Sequence, residues 1–209
     1  GGFNILDQFI RSSFLINSEI ILGLLFFFIF FLFNDFISLP LQYYKIFIIE
    51  ERFGFNKMTK KIFVSDKIKS YVLMILIGAP ILGFIFYFFN SFIQYGWLYV
   101  WILLAAFSII LQPLFVTFIA PLFNKFTPLE EGELRSKIEE YLHSVNFPVA
   151  NLDVMDGSKR SSHSNAYFSG FGSKKRIALF DTLLSNHSNE EIISIIAHEV
   201  GHYKKGHII

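Results

Sequence analysis

Two histidines four residues apart with a glutamate between them, His198-Glu199-Val200-Gly201-His202, are the best-equipped part of this 209-residue sequence for chemistry. Residues i and i+4 of a helix lie about 40° apart around its axis, so both imidazoles project from one face and can hold a single Zn²⁺. Glu199 stands about 100° from His198. That is near enough to act as general base toward a water on the metal and then to pass the proton to the leaving amine. A chain of this composition contains the pattern by chance only about 0.01 times. Ile192, Ile193, Ile196, Val200 and Tyr203 fall on the opposite side of the same helix and predict its core face. Gly201 costs about 1 kcal/mol in a helix interior, which predicts that something packs closely against it. The sequence has no cysteine, so thiolate nucleophiles and thiolate ligands are excluded and any metal is held by His, Asp or Glu. His163 and His187 lack ligand spacing and read as surface or supporting residues. His207 falls on the core side of the helix, away from His202, and is not read as a ligand; Lys204-Lys205 reads as a solvated or headgroup-facing pair.

The elements that position this motif lie in residues 125–209, where ten Lys/Arg and eleven Asp/Glu give the composition of a water-exposed domain. Thr127-Pro128-Leu129-Glu130 predicts a capped helix start with proline at its first position. Leu134, Ile138, Tyr141, Leu142 and Val145 then recur at helical spacing, predicting a helix of about 18 residues that ends before Pro148. Strand-like runs follow at Leu152–Met155, Ala166–Phe171 and Arg176–Phe180, the last two joined through Gly172-Ser173 as a hairpin. Ser188 with Glu191 three residues on predicts the capped start of the HExxH helix.

Residues 1–124 are of another kind. The chain is 53% hydrophobic and 17% charged, with 28 phenylalanines and a mean hydropathy of +0.49. No Asp, Glu, Lys, Arg or His occurs in the 55 residues between Lys69 and Lys125. One membrane span takes roughly 20 apolar residues, so this stretch holds two. The polar cluster from Asn90 to Gly96 divides it, giving spans at 71–89 and 97–120, and a third is predicted at 20–41 with a tilt or a kink at Pro40. Asp35 interrupts that third span, and a charge there is expected to face other helices or to lie near the interface. Seven basic residues against three acids over 45–70 mark a cytoplasmic loop, which puts Asn90–Gly96 on the far side and 125–209 back on the cytoplasmic side. A net charge of +1 leaves no basic excess for nucleic acid. The predicted fold class is mostly α, a multi-pass helical membrane protein carrying a cytoplasmic-side α+β zincin-like metalloprotease domain. The start at Gly1-Gly2 without Met and the end at His207-Ile208-Ile209, just past the HExxH helix, are read as those of an internal piece of a longer protein.

Five blocks in order resemble the integral-membrane zinc metalloproteases of the CAAX prenyl protease 1 type. They are Phe47-Ile48-Ile49-Glu50-Glu51-Arg52-Phe53-Gly54-Phe55-Asn56-Lys57-Met58-Thr59; Pro121 to Phe126 with Leu129-Glu130; Ser162-His163-Ser164-Asn165-Ala166-Tyr167-Phe168; Lys175 to Leu184; and the run from His198 to His207. The resemblance implies seven membrane helices around a water-filled chamber, closed by the protease domain, with this chain lacking the first span and all that follows the zinc helix. It implies His198 and His202 as zinc ligands and Glu199 as the catalytic base. The third ligand is then a Glu beyond Ile209, with one zinc per complete chain. It also makes Asn165-Ala166-Tyr167 an edge strand that pairs with the extended substrate, a sensible task for a sheet edge. The competing reading of those three residues is a plain hairpin strand with Tyr167 and Phe171 in the core.

The first functional reading is therefore a zinc metalloendopeptidase that cleaves near the C terminus of isoprenylated CAAX proteins or related peptides. It would sit in the endoplasmic reticulum membrane of a eukaryote or the plasma membrane of a bacterium. Its partners would be a peptide or prenylated protein substrate and the lipid bilayer, with no nucleic acid. An HtpX-like quality-control protease is the alternative within the class. A multi-pass scaffold or channel with an incidental HExxH is the alternative outside it.

Overall fold

The computed structural model describes residues 1–14, 16–148, 151–169 and 176–205. The chain divides into two compact units, residues 1–50 with 60–108 and residues 51–59 with 109–209. His207, Phe171, the turn at Gly172-Ser173, Lys175 and the Tyr203 side chain lie outside the described residues.

The first unit is helical. Helix α1 (Gly2–Ser13) precedes α2 (Glu19–Tyr44), which continues through a wide π-type turn at Lys45–Glu50. Helix α3 (Lys60–Leu73) leads through a second wide turn (Met74–Gly78) into α4 (Ala79–Ser91). Glu19–Glu50 and Lys60–Ser91 are thus two apolar helices of 32 residues each, long enough to cross a membrane. The segment 45–70, expected as one loop, is helical up to Glu50 and again from Lys60. Its basic residues sit mostly on helix ends, where a charge count alone cannot tell a loop from a helix that outlasts the bilayer. Large side chains along both helices are exposed, among them Phe36, Leu41, Leu76 and Phe84. That is the surface expected of helices bathed in lipid rather than water. Gly23 lets the two helices approach, since a Cβ there would stand 2.9 Å from the Phe86 ring. Asp35 faces the partner helix: Lys67 Nζ donates to Oδ1 at 2.6 Å and the Tyr71 hydroxyl donates to Oδ2.

Helix α5 (Gly96–Leu114), a third wide turn (Phe115–Ile119) and α6 (Ala120–Phe123) carry the chain onward. Two of the wide turns stand just before a proline, Pro80 and Pro121. A proline ring clashes with the carbonyl four residues back. Here those residues are Leu76 and Thr117, each inside a wide turn, so widening the helix is the relief.

The second unit is built on a four-stranded sheet of order β1-β2-β4-β3, where β1 is Phe126–Pro128, β2 Asn151–Met155, β3 Ala166–Ser169 and β4 Arg176–Phe180. β2 and β4 run parallel, and both outer pairs are antiparallel. The expected helix start at Thr127-Pro128 is instead strand β1, and α7 (Glu133–Ser144) begins after Gly132 with 12 residues, not 18. Pairing overrode the local signal: Thr127 opposes Val154, and the Leu129 N–H donates to the Leu152 carbonyl at 2.9 Å. Pro128 is tolerated there because β1 is an edge strand. Helices α7 and α9 (Asn189–Lys204) cover one face of the sheet, burying Ile138, Leu142, Leu152, Ile177, Leu179, Ile192, Ile196 and Val200 in one core. The short helix α8 (Asp181–Asn186) turns the chain from β4 toward α9.

Candidate metal centre

Ser188 fixes where α9 begins. Its N–H donates to Glu191 Oε2 at 2.9 Å, and the Glu191 N–H donates to Ser188 Oγ at 3.3 Å, a reciprocal cap. These bonds hold the Glu191 carboxyl below the usual glutamate range. The rotation of the helix is then set by Ile192, Ile196 and Val200, each 0–1% exposed in the core. Burying each such side chain contributes roughly 1.5–3 kcal/mol. The opposite face carries His198 and His202.

Their Nε2 atoms converge to 2.9 Å, and the rings meet edge to face with centroids 4.5 Å apart. Which nitrogen donates depends on the tautomers. Two imidazole nitrogens at roughly 2.0–2.1 Å from a tetrahedral zinc stand about 3.3 Å apart, so the pair fits the ion after a shift of a few tenths of an ångström. Glu199 lies between them in sequence, half-buried, with no ion-pair partner among the described residues. No group of three His, Cys, Asp or Glu that could hold a metal occurs among the described residues. Glu191 is committed to the helix cap, about 10 Å of helix before His198. His187 Nδ1 stands 3.6 Å from the Glu191 carboxylate, and His163 is exposed and stacked on Phe55. Lys204 and Lys205 are exposed. Among the described residues, a Cβ at Gly201 would meet nothing within 4 Å, so the close packing expected there is not found among them.

Asn165, Ala166 and Tyr167 enter β3, which closes one end of the sheet and packs against α9. Ala166 is buried on the helix side. Tyr167, half-buried, alternates to the other face, where it meets Phe180 edge to face at 6.5 Å and where burial raises its phenol pKa. The Phe180 N–H donates to the Asn165 carbonyl at 3.0 Å. Residues 165 and 167 therefore turn their backbone groups toward β4, and 166 and 168 turn theirs to the outer edge, which no strand covers among the described residues. Asn165 Oδ1 covers the Ala166 N–H at 2.8 Å. A brace missed by sequence reasoning lies nearby: residues 54–57 pair with residues 160–162. Residues 47–59 stood out in the sequence only as one of the five resembling blocks, with nothing to name their partners at 160–162.

A paired-histidine helix beside the edge strand of a sheet has the form of a metallopeptidase site. Comparison with known families agrees over nearly the whole length. Residues 1–125 match the model described as CAAX prenyl protease N-terminal, five membrane helices, and residues 128–209 match peptidase family M48. The chain belongs to the CAAX prenyl protease 1 family. It is 47% identical over 175 residues to CAAX prenyl protease 1 of Saccharomyces cerevisiae, covering 83% of this chain and 38% of that protein. It is 36% identical over 228 residues to the CAAX prenyl protease 1 homolog of Homo sapiens, covering 91% of this chain and 48% of that one. The crystal structure of S. mikatae Ste24p superposes with a TM-score of 0.90 at 43% identity, over 98% of this chain and 49% of that one. The chain thus spans less than half the length of these relatives. Family membership implies a bound metal and a membrane environment. It does not favour the HtpX-like or scaffold readings.

Proposed function

We propose that the protein carrying this chain is a membrane zinc metalloendopeptidase that cleaves near the C terminus of isoprenylated CAAX proteins or related peptides, in the endoplasmic reticulum membrane. The observation that carries the reading is the convergence of His198 Nε2 and His202 Nε2 at 2.9 Å on a helix whose other face is the core. A zinc ion bound there would make a water acidic enough to attack at neutral pH and would polarise the scissile carbonyl. His198 and His202 would hold the ion, with a Glu beyond Ile209 as third ligand. Glu199 would take the proton of the attacking water and deliver it to the departing amide nitrogen. The outer edge at Ala166 and Phe168 would align an extended peptide by backbone pairing, with Asn165 giving up its bond to Ala166 as the peptide arrives.

Glu199→Gln in the complete protein tests the assignment. The amide cannot accept the proton, and neither histidine is touched, so kcat should fall at least about a hundredfold while zinc content measured by atomic absorption stays at one per chain. Turnover near that of the parent would remove Glu199 from the mechanism.

A further inference from the structure

Arg160 joins parts of the second unit that lie far apart in sequence. Its Nη1 donates to Asn124 Oδ1 at 2.6 Å and its Nη2 donates to the Phe123 carbonyl at 2.7 Å. Phe123 ends α6, and the last carbonyls of a helix have no partner within it, so the guanidinium serves as the cap. The main chain of the same residue reaches elsewhere. Its N–H donates to the Gly157 carbonyl and its carbonyl accepts from the Lys57 N–H, both at 3.0 Å, while the Ser162 N–H donates to the Phe55 carbonyl at 3.0 Å. The loop met there is itself ordered. Gly54, at φ +75°, makes its turn, and Asn56 Oδ1 accepts from the Met58 N–H while its Nδ2 donates to Glu51 Oε2, both at 2.8 Å.

The turn that carries Arg160 is clamped to the same helix end a second time. The Lys125 N–H donates to Asp156 Oδ1 at 2.6 Å, and the Asp156 N–H donates to the Lys125 carbonyl at 3.2 Å. Gly157 admits the Phe180 ring of β4, which a Cβ would strike at 2.5 Å. From Arg160, residues 161–165 lead straight into β3. Their inner side is held by the Thr182 hydroxyl, which donates to the His163 carbonyl at 2.9 Å, and by the Phe180 N–H, which donates to the Asn165 carbonyl at 3.0 Å.

We propose that Arg160 is a positioning residue for the substrate: by tying the end of α6 to the segment that feeds β3, it sets where the outer edge at Ala166 and Phe168 lies when a peptide pairs with it. The proposal rests on the protease reading above. The fork of the guanidinium matters as much as its charge, because one planar group meets a side-chain oxygen and a main-chain carbonyl at once, which a lysine ammonium on a flexible stem does not hold in fixed directions. Pairing along the edge holds the peptide before and during the reaction, so displacing the edge raises KM. His198, Glu199 and His202 stand on α9, which is seated by its own cap and core, so kcat is spared.

The test gives one fluorogenic peptide to the complete zinc-loaded protein. Arg160→Ala should raise KM at least about tenfold and keep kcat within about threefold of the parent, with zinc still at one per chain. Arg160→Lys, which keeps the charge and loses the fork, should raise KM at least about threefold. Asn124→Ala should raise it too, and should add little to Arg160→Ala, because the two act through one bond. Without reference to activity, the Lys57 and Ser162 amides should exchange at least about tenfold faster in Arg160→Ala, and those of α9 at the parental rate. If Arg160→Ala does not fold, Arg160→Lys and Asn124→Ala decide. An unchanged KM in a zinc-loaded variant, a fall of kcat and zinc content in step with the rise of KM, or full additivity with Asn124→Ala overturns the positioning role. Failure of the zinc-loaded parent to cut any peptide overturns the protease reading, and the positioning role with it.

Discussion

Ser188 and Glu191 are exposed residues with no part in the chemistry, yet they set the first turn of the helix that aims His198 and His202. Losing an N-cap hydroxyl costs about 1 kcal/mol. Ser188→Ala should therefore speed exchange of the amides at Glu190 to Ile192 about fivefold and leave that of β4 unchanged. The Glu191 carboxyl has a lowered pKa in the folded state, chiefly through the Ser188 N–H. Its contribution is full above the ordinary glutamate range and is lost as pH falls through the lowered value, so the stability difference between the parent and Glu191→Ala should shrink in acid. At this scale the sequence was informative wherever the decisive neighbours lie within one helix, as for this cap and the two histidines. At Gly201 it was uninformative, because the cost of a glycine says that a side chain is missing but not what lies in its place. Asn56 and Phe55 were illegible as a brace, since their partners Ser161 and His163 lie far along the chain.

Between elements, the Asp35, Lys67 and Tyr71 cluster ties α2 to α3, with the Asp35 and Lys67 side chains 12% and 21% exposed. Removing one partner of a fully buried pair costs about 3–5 kcal/mol; this pair is only part-buried and Asp35 keeps the Tyr71 hydroxyl, so the cost here is smaller. Lys67→Met should lower the thermal inactivation temperature of the purified protein. Adding Asp35→Asn to it should restore most of the loss, because no charge is then stranded; additive damage in the double variant would show that the pair is not what joins the helices. Composition revealed the apolar helices but not their ends, since charged residues occupy helix termini as readily as loops. The three strands of 151–180 were visible as short strand-like runs. β1 was not, because Thr127-Pro128 carries a helix-start signal that only the pairing with β2 overrides.

For the molecule as a whole, the seven-to-three basic excess over 45–70 predicts that this segment and 125–205 share one side of the membrane, with Asn90–Gly96 opposite. Because the sequence contains no cysteine, single cysteines at Lys60, Ser91 and Lys159 can be read with an impermeant thiol reagent. Labelling of Ser91 from the same face as Lys60 would show that the helical hairpin does not cross. The pairing of Asn56 with Ser161 also carries a timetable. About a hundred residues separate the two, and at roughly 5–20 residues per second a ribosome needs on the order of 5–20 s to bridge them. The Gly54 turn and the Asn56 bonds to Glu51 and Met58 are local and can form as soon as they emerge, so the loop waits ready-made while both following helices are inserted. A chain arrested before Arg160 leaves Phe55 without its histidine and the Phe55 carbonyl without its Ser162 donor, so this backbone edge stays unpaired until the later segment emerges.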